Sequence, residues 1–125
     1  MKANGWNGAD KLAAGANQIA PTIVGGSKKH EDSDFRLTRA RKARAQLGVT
    51  SAGVANEAPA EDFEGMPKLT ARMIARVQGF HDEWDFSNKK SKVCRMTGNA
   101  FPPSVAKVVG IQIIKILEND EQINE

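Results

Sequence analysis

Residues 68–84 read K-L-T-A-R-M-I-A-R-V-Q-G-F-H-D-E-W and residues 95–110 read R-M-T-G-N-A-F-P-P-S-V-A-K-V-V-G, and the helices that they predict decide the fold. Thr70 is a good N-cap for the first helix, because its hydroxyl can accept a hydrogen bond from the free amides of the first turn. Gly79 is a good stop signal. The sequence therefore predicts one helix between these two residues.

This first helix has an apolar side. Leu69 precedes the N-cap and can pack on Ile74 as a hydrophobic staple. Met73, Ile74 and Val77 follow at helical spacing and predict a short apolar stripe. We expect a packed helix.

A second helix is predicted after Pro102-Pro103, since proline is tolerated in the first turn of a helix. Its apolar residues recur with the helical period and require a core or a partner surface to cover them; they are Val105, Val108, Val109, Ile113, Ile116 and Leu117. The turn at 98–101 is expected to present backbone amides at the positive helix end, beside the side chain of Asn99. Such a turn suits a polar or anionic ligand.

Two motifs in this stretch carry a family resemblance. L-T-x-R-x-x-A-R-x-Q-G-F at 69–80 and G-N-A-x-P-P at 98–103 resemble the ninth and tenth motifs of DNA (cytosine-5)-methyltransferases. Upstream, A-P-T-I-V-G-G-S-K-K-H at 20–30 and L-T-R-A-R at 37–41 resemble the end of the target-recognition region of that family. The chain departs from the ninth motif in having Ala71, Met73 and His81 where the family usually has Pro, Glu and Pro.

The resemblance implies an α/β fold class. The chain would be a C-terminal fragment of a Rossmann-like S-adenosylmethionine-dependent methyltransferase domain with part of a target-recognition region. The fragment itself would consist mainly of helices and loops with a few short strands. Residues 1–50 would be the end of the recognition region, 51–67 a linker, and 68–125 the C-terminal helices of the catalytic domain.

The resemblance also assigns roles to residues. The turn at Asn99 and Ala100 would close the methionine side of the S-adenosylmethionine pocket. The first helix would hold the recognition region against the catalytic domain through its motif residues, Leu69, Arg72, Arg76, Gln78, Gly79 and Phe80. Thr22 and Ile23 are candidates for the recognition element in the DNA major groove; the alternative is a plain strand.

Basic residues of the first half are candidates for contacts with double-stranded DNA. Lys28 and Lys29 lie in a glycine-rich loop that can approach phosphate, or that is a flexible solvated loop. A helix is predicted from Asp34 to a stop at Gly48, and its cluster of cations suits phosphate neutralisation, or is a solvated helix face. The candidates from this helix are Arg39, Arg41 and Arg44.

Composition limits the classes of function. The chain has 125 residues, a net charge of +3 and a pI near 9.2, which favours acidic partners. One cysteine excludes an internal disulfide, and two histidines 51 positions apart make a metal centre unfavourable, so we predict no metal site. No apolar run approaches the roughly 18 residues of a membrane span, and the sequence predicts a cytoplasmic protein without membrane contact.

Outside the motifs the sequence predicts smaller features. A short helix is expected around residues 10–16, with Trp6 as an apolar anchor. Ser87 to Lys92 is expected to be an exposed basic turn, and the chain is expected to fray after Glu118. Trp84 is expected to be an aromatic anchor in the core.

The chemistry of cytosine-5 methylation is not encoded in full. It requires a thiolate that adds to the ring, an acid beside the ring and a glycine-rich turn for the cofactor. The family places these groups in Pro-Cys, Glu-Asn-Val and F-x-G-x-G contexts, none of which occurs here, and Cys94 stands in Lys-Val-Cys-Arg. We therefore expect Cys94 to be a small, partly buried residue and assign no catalytic residue.

The predicted function is accordingly a part of an enzyme of DNA methylation and restriction-modification, inactive alone and completed by a chain that carries the N-terminal motifs. Two histories fit, a natural subunit of a split methyltransferase and a truncated remnant. The competing class is a free-standing basic nucleic-acid-binding protein. The DNA sequence that it recognises does not follow from these residues.

Overall fold

A computed structural model of the chain describes residues 1–20, 23, 38–86 and 89–123. A short 3-10 helix, Lys2–Asn4, comes first. The helices and strands then follow in the order α1 Ala9–Gly15, α2 Thr38–Gln46, β1 Thr50–Ala55, β2 Lys68–Thr70, α3 Ala71–Val77, α4 Lys90–Asn99 and α5 Pro103–Ile123. The described part therefore has the predicted character of helices and loops with short strands.

Strands β1 and β2 form a parallel pair. Thr50 lies opposite Lys68 and Ala55 opposite Thr70, with an irregularity in the register between them. The connection over 56–67 is long enough for the crossover that parallel strands require. Strand β1 includes residues 51–55, which begin the segment 51–67 that the sequence predicts to be a linker. Only Thr50 and Val54 of Thr-Ser-Ala-Gly-Val-Ala have the β-branched side chains typical of strands. The other four residues are small, which hid the strand.

Helix α3 begins and ends where the sequence predicted. The Oγ1 atom of Thr70 accepts a hydrogen bond from the amide of Met73 at 3.2 Å, which confirms the N-cap. Gly79 has a φ of 92°, in the left-handed region that favours glycine, and its amide donates to the carbonyl of Arg76 at 2.9 Å. The local chemistry of the chain therefore fixes both ends of this helix.

The buried side of α3 differs from the predicted stripe. Ile74 and Ala75 are fully buried, whereas the side chain of Val77 is 48% exposed. The stripe is therefore wrong at Val77. The reason is that the buried side of α3 is centred between Ile74 and Ala75, and Val77 lies beyond its edge.

The core joins distant parts of the chain. Its buried residues are Ile23, Ile74 and Cys94, and Leu69 packs against them from the strand side. The contact of Leu69 with this cluster is consistent with the predicted staple on Ile74. Cys94 is only 1% exposed, so it is more deeply buried than the sequence suggested.

Helix α4 was not predicted. The sequence placed a basic turn at Ser87 to Lys92 and a second turn at 98–101, but Lys90–Asn99 is helical. Val93, Cys94 and Thr97 are buried at positions i, i+1 and i+4, which is a helical pattern. The pattern is short and contains threonine and cysteine instead of large aliphatic residues, which is why it was missed.

Helix α5 begins at Pro103, as predicted, and runs to Ile123. The fraying expected after Glu118 is therefore wrong for residues 119–123.

The axes of α4 and α5 meet at a bend of 44°. Within the described residues, no single helix combines the length and the apolar composition that a membrane span requires. Only this bent pair, taken together, meets both requirements.

The apolar residues of α5 are not covered by the described part of the chain. Val105, Val108, Val109, Ile113, Ile116 and Leu117 are between 44% and 59% exposed. The sequence predicts that a core or a partner surface covers this face. The described part of the chain supplies no such core, so a partner surface is the remaining alternative.

The N-terminal segment is tied to the middle of the chain. Trp6 is buried, and its Nε1 atom donates a hydrogen bond to the carbonyl of Phe63 at 3.1 Å. Helix α1 follows at Ala9–Gly15, close to the predicted range. Trp6 thus has the anchoring role that the sequence predicted.

Candidate cofactor turn and nucleic-acid interface

The turn between α4 and α5 is fixed by hydrogen bonds on both sides of Ala100. Its amide donates to the carbonyl of Met96 at 3.0 Å and closes α4. Its carbonyl accepts from the Nε2 atom of Gln78 at 3.0 Å, across a sequence distance of 22 residues. Gln78 belongs to the first motif and Ala100 to the second, so this bond joins the two motifs.

The expectation of free backbone amides in this turn needs correction. Asn99 is the last residue of α4 instead of a turn residue. The amide of Ala100 is already used, and Pro102 and Pro103 have no N–H to offer. The amide of Val105 donates to the carbonyl of Pro102 at 2.9 Å. Among the described hydrogen bonds, none uses the amides of Phe101 and Ser104, so the turn offers fewer free amides than expected but still offers these two.

Next to the turn, Asn99 at the end of α4 offers a polar side chain. It is exposed at the end of α4 and makes no hydrogen bond to the part of the chain that the structure describes. Its carboxamide offers both a donor and an acceptor. Such a group can bind the charged ends of an amino-acid-like ligand.

The arginines of α3 bind the loop that follows it. The Nη1 atom of Arg72 donates to the carbonyl of Asp82 at 3.1 Å and to that of Trp84 at 2.8 Å. The guanidinium of Arg72 also lies 4.9 Å from the centre of the Phe86 ring. Arg72 therefore folds the loop over 80–86 back onto α3.

Arg76 makes a bidentate pair with Asp82. Its Nε and Nη2 atoms donate to the two carboxylate oxygens of Asp82, each at 2.6 Å. The hydrogen bonds raise the pKa of Arg76 and, in the same way, hold the pKa of Asp82 below its usual value. Asp82 is a partner that the motif pattern alone did not reveal, since it lies two residues beyond the end of the motif at Phe80.

Aromatic rings complete this loop. Phe80 makes edge-on contacts with Trp84 and Phe86, at ring-centre distances of 5.2 and 5.9 Å. Trp84 nevertheless stays 52% exposed, so it lies at the surface and not in the core as expected. The motif residues of α3 thus shape a local loop and, through Gln78, the turn at Ala100.

The candidate DNA contacts on α2 separate into two groups. Arg39 and Arg41 are exposed, as a phosphate contact requires. Arg44 is only 6% exposed, and its Nη1 atom lies 3.4 Å from the Oγ atom of Ser51. Burial lowers the pKa of Arg44. Ala40, one turn before Arg44, is also buried, so this side of α2 packs on β1 and the expected exposed position of Arg44 is wrong.

The candidate role of Ile23 as a recognition residue in the DNA major groove also needs correction. Its side chain is 6% exposed and lies in the core with Ile74 and Cys94, so it does not face a DNA groove. A β-branched side chain between Thr22 and Val24 gave the sequence no means of telling a core position from a recognition position. Thr22, Lys28 and Lys29 lie outside the described residues.

Helix α4 carries further exposed cations that could contact DNA, at positions where the sequence predicts no helix. Lys92, Arg95 and Asn99 are all exposed. Asn99 follows Lys92 by seven residues and Arg95 by four, so the three lie on the same side of α4. The Nζ atom of Lys90 lies 3.4 Å from the carbonyl of Val54 and links α4 to β1. Within the described ranges no group of histidine, cysteine and acidic side chains suits a metal ion.

Comparison with known proteins identifies relatives of nearly the whole chain. Residues 4–115 match the family described as C-5 cytosine-specific DNA methylase. The type II methyltransferase M.NaeI of Lentzea aerocolonigenes is 53% identical over 116 residues, which cover 90% of this chain and 28% of that protein. M.NgoMIV of Neisseria gonorrhoeae, also a type II methyltransferase, is 42% identical over 122 residues, which cover 96% of this chain and 38% of that protein.

The chain therefore spans between about a quarter and two fifths of the length of these relatives. No solved structure matches it.

Proposed function

Because the chain belongs to the C-5 cytosine-specific DNA methylase family, we propose that it acts as the C-terminal portion of a DNA (cytosine-5)-methyltransferase. In this proposal it contributes to DNA binding, closes the S-adenosylmethionine pocket and depends on a complementary portion for catalysis. The single observation that carries the proposal is the hydrogen bond from Gln78 to Ala100, which connects the two family motifs in one structural unit.

S-adenosylmethionine would supply the methyl group. The residues present fit its methionine end, because that end carries a carboxylate and an ammonium group and the Asn99 carboxamide can both donate and accept. Asn99 and Ala100 would hold it, and Gln78 would keep the turn in place through the Ala100 carbonyl. This turn is thus a positioning and binding element without a catalytic group of its own.

Double-stranded DNA is the proposed substrate. Arg39 and Arg41 are exposed cations on one helix and would neutralise phosphates, which supplies affinity without sequence information. Thr22, Lys28 and Lys29 remain proposed DNA contacts in the end of the recognition region. Ile23 and Arg44 would support this surface from beneath, since both side chains are buried.

The complementary portion is required for chemical reasons. The sequence holds no Pro-Cys, Glu-Asn-Val or F-x-G-x-G segment, so the nucleophile, the acid and most of the cofactor site must come from elsewhere. The relatives are also much longer than this chain. The exposed apolar residues of α5 offer a surface on which that portion can bind.

The test is complementation. The portion of M.NaeI outside the matched segment, which supplies the missing length, is mixed with this chain, DNA and tritiated S-adenosylmethionine. We expect label in cytosine from the mixture and none from either component alone. A complementary portion whose nucleophilic cysteine is replaced by alanine is the control and should give no label. Labelling by the isolated chain, or no labelling by any mixture, would overturn the proposal.

A further inference from the structure

Helix α5 carries apolar side chains on more than one side. At about 100° per residue, Val105, Val109 and Ile116 share one side of the helix. Ile111 and Ile114 lie on the opposite side and are 41% and 55% exposed. Lys107 and Glu118 share that opposite side, and Lys115 lies next to them, so α5 also has a polar strip. A partner surface would therefore cover α5 from the Val105 side as far as Ile114 and leave this polar strip outside the contact.

Gly110 lies near the middle of α5, where nothing in the described part of the chain requires a glycine. Glycine is less favourable than alanine inside a helix. Gly110 is absent from the glycines with positive φ, so its backbone does not require glycine. A Cβ atom built on Gly110 would meet nothing within 4 Å, so no neighbour in the chain excludes a side chain there.

Gly110 also lies between apolar neighbours. Ile113 and Ile114 follow it by three and four residues, so they border it on the helix surface, and both are about half exposed. A missing side chain between two large ones makes a shallow groove in the helix surface. Helices can pack more closely at such a position, because the distance between helix axes depends on the side chains at the contact.

We propose that an apolar helix of the complementary methyltransferase portion crosses α5 at Gly110, with its backbone close to the Gly110 backbone. This inference rests on the proposed function, since it assigns the partner of α5. The occupant follows from the length of chain outside this one, because the matched segment is only 28% of M.NaeI and 38% of M.NgoMIV. The same crossing would bring the partner against both Ile113 and Ile114.

The experiment measures binding of the full chain to the portion of M.NaeI outside the matched segment. Gly110→Ala should weaken association at least about tenfold and Gly110→Leu should weaken it more, because added volume at a close contact is unfavourable. The same Gly110→Ala chain, measured alone by circular dichroism, should be as helical as the unsubstituted chain or more so, since alanine is the better helix former. These opposite effects separate a contact role from a folding role.

Lys115→Ala is the matched control, because Lys115 is exposed on the far side of α5 from Gly110. It should leave association within about twofold of the unsubstituted chain, since its side chain lies outside the proposed contact. Full association with Gly110→Leu, while the unsubstituted chain binds and complements methylation, would overturn the crossing and leave the proposed function intact. No association by the unsubstituted chain would overturn both.

Discussion

At the scale of single residues, Gly8 is the described glycine with the least space for a side chain, because it packs against Trp6. A Cβ atom at Gly8 would overlap the indole ring and lie 2.8 Å from its Cε2 atom. Glycine is therefore required at this position for reasons of space, and its φ of −78° shows that backbone strain is not the cause. The indole is held in place by its hydrogen bond to the carbonyl of Phe63.

We predict that Gly8→Ala destabilises the chain by roughly 1–3 kcal/mol, the usual cost of overpacking. Urea unfolding followed by Trp fluorescence measures it. Gly110→Ala is the control, since a Cβ there has open space, and it should not lower the unfolding midpoint. Equal midpoints for Gly8→Ala and the unsubstituted chain would show that Trp6 does not pack against Gly8.

A second residue-scale prediction concerns the pair of Arg76 with Asp82. The hydrogen bonds from Arg76 lower the pKa of the Asp82 carboxyl from its ordinary 3.8. A carboxyl whose pKa is lower in the folded state stabilises the fold above its ordinary pKa, and that contribution is lost as the pH falls through the folded value. Asp82→Asn should therefore lower the unfolding midpoint at neutral pH, and the difference should disappear in acid.

The measurement is the urea midpoint of both chains across this pH range. Both side chains of the pair are more than half exposed, so salt should reduce the difference as well. Glu83→Gln, an exposed neighbour outside the pair, is the control and should give no such pH dependence. A difference between Asp82→Asn and the unsubstituted chain that persists in acid would exclude the ion pair as its cause.

At the scale of helices and strands, α2 has one buried and one exposed side. Ala40 and Arg44 pack inward, while Arg39 and Arg41 remain in solvent. The sequence showed the density of cations but not the side on which each lies, because the helical pattern of α2 contains few large apolar residues.

We predict that replacing Arg39 and Arg41 together by alanine lowers the slope of log affinity against log salt by about two units, one for each phosphate that these arginines neutralise. Fluorescence anisotropy with a DNA duplex at several salt concentrations measures this slope. Lys115→Ala is the control for removal of a charge elsewhere and should leave the slope unchanged. If the double substitution also leaves it unchanged, these arginines do not bind phosphate.

How far the sequence predicted these elements depended on local chemistry. Helix α3 was predicted because Thr70 and Gly79 mark its ends, and the start of α5 because proline marks it. Helix α4 was missed because two of its three buried residues, Cys94 and Thr97, are not large aliphatic residues. Strand β1 was missed because most of its residues are small and none of them is fully buried. The sequence likewise left Ile23 open between a recognition residue and a plain strand, and the structure places it in the core.

At the scale of the whole molecule, the turn at Asn99 and the apolar face of α5 have different tasks. Asn99 is a polar side chain at the end of α4, and Val109 is a half-exposed apolar side chain on α5. Burial of each large aliphatic side chain of α5 would contribute roughly 1.5–3 kcal/mol to association, less the cost of ordering. Cofactor binding and association are therefore separable by mutation.

We predict that Asn99→Ala weakens binding of S-adenosylmethionine to the complemented enzyme more than it weakens association. Val109→Asp should do the reverse, because it places a charge in the apolar contact. Calorimetry with the cofactor and co-purification with the M.NaeI portion measure the two quantities. If both substitutions leave cofactor binding and association as they are in the unsubstituted complex, the proposed division of tasks is wrong.

The hydrogen bond between Trp6 and Phe63 also sets an order of events during synthesis. Its partners are 57 residues apart. At the usual rates of translation, Trp6 is incorporated roughly 3 to 11 s before its acceptor has been made. During that interval the indole has neither its hydrogen bond nor its final packing. Trp6 thus waits for its place until residue 63 has been made, and slow translation through residues 7–63 lengthens this wait.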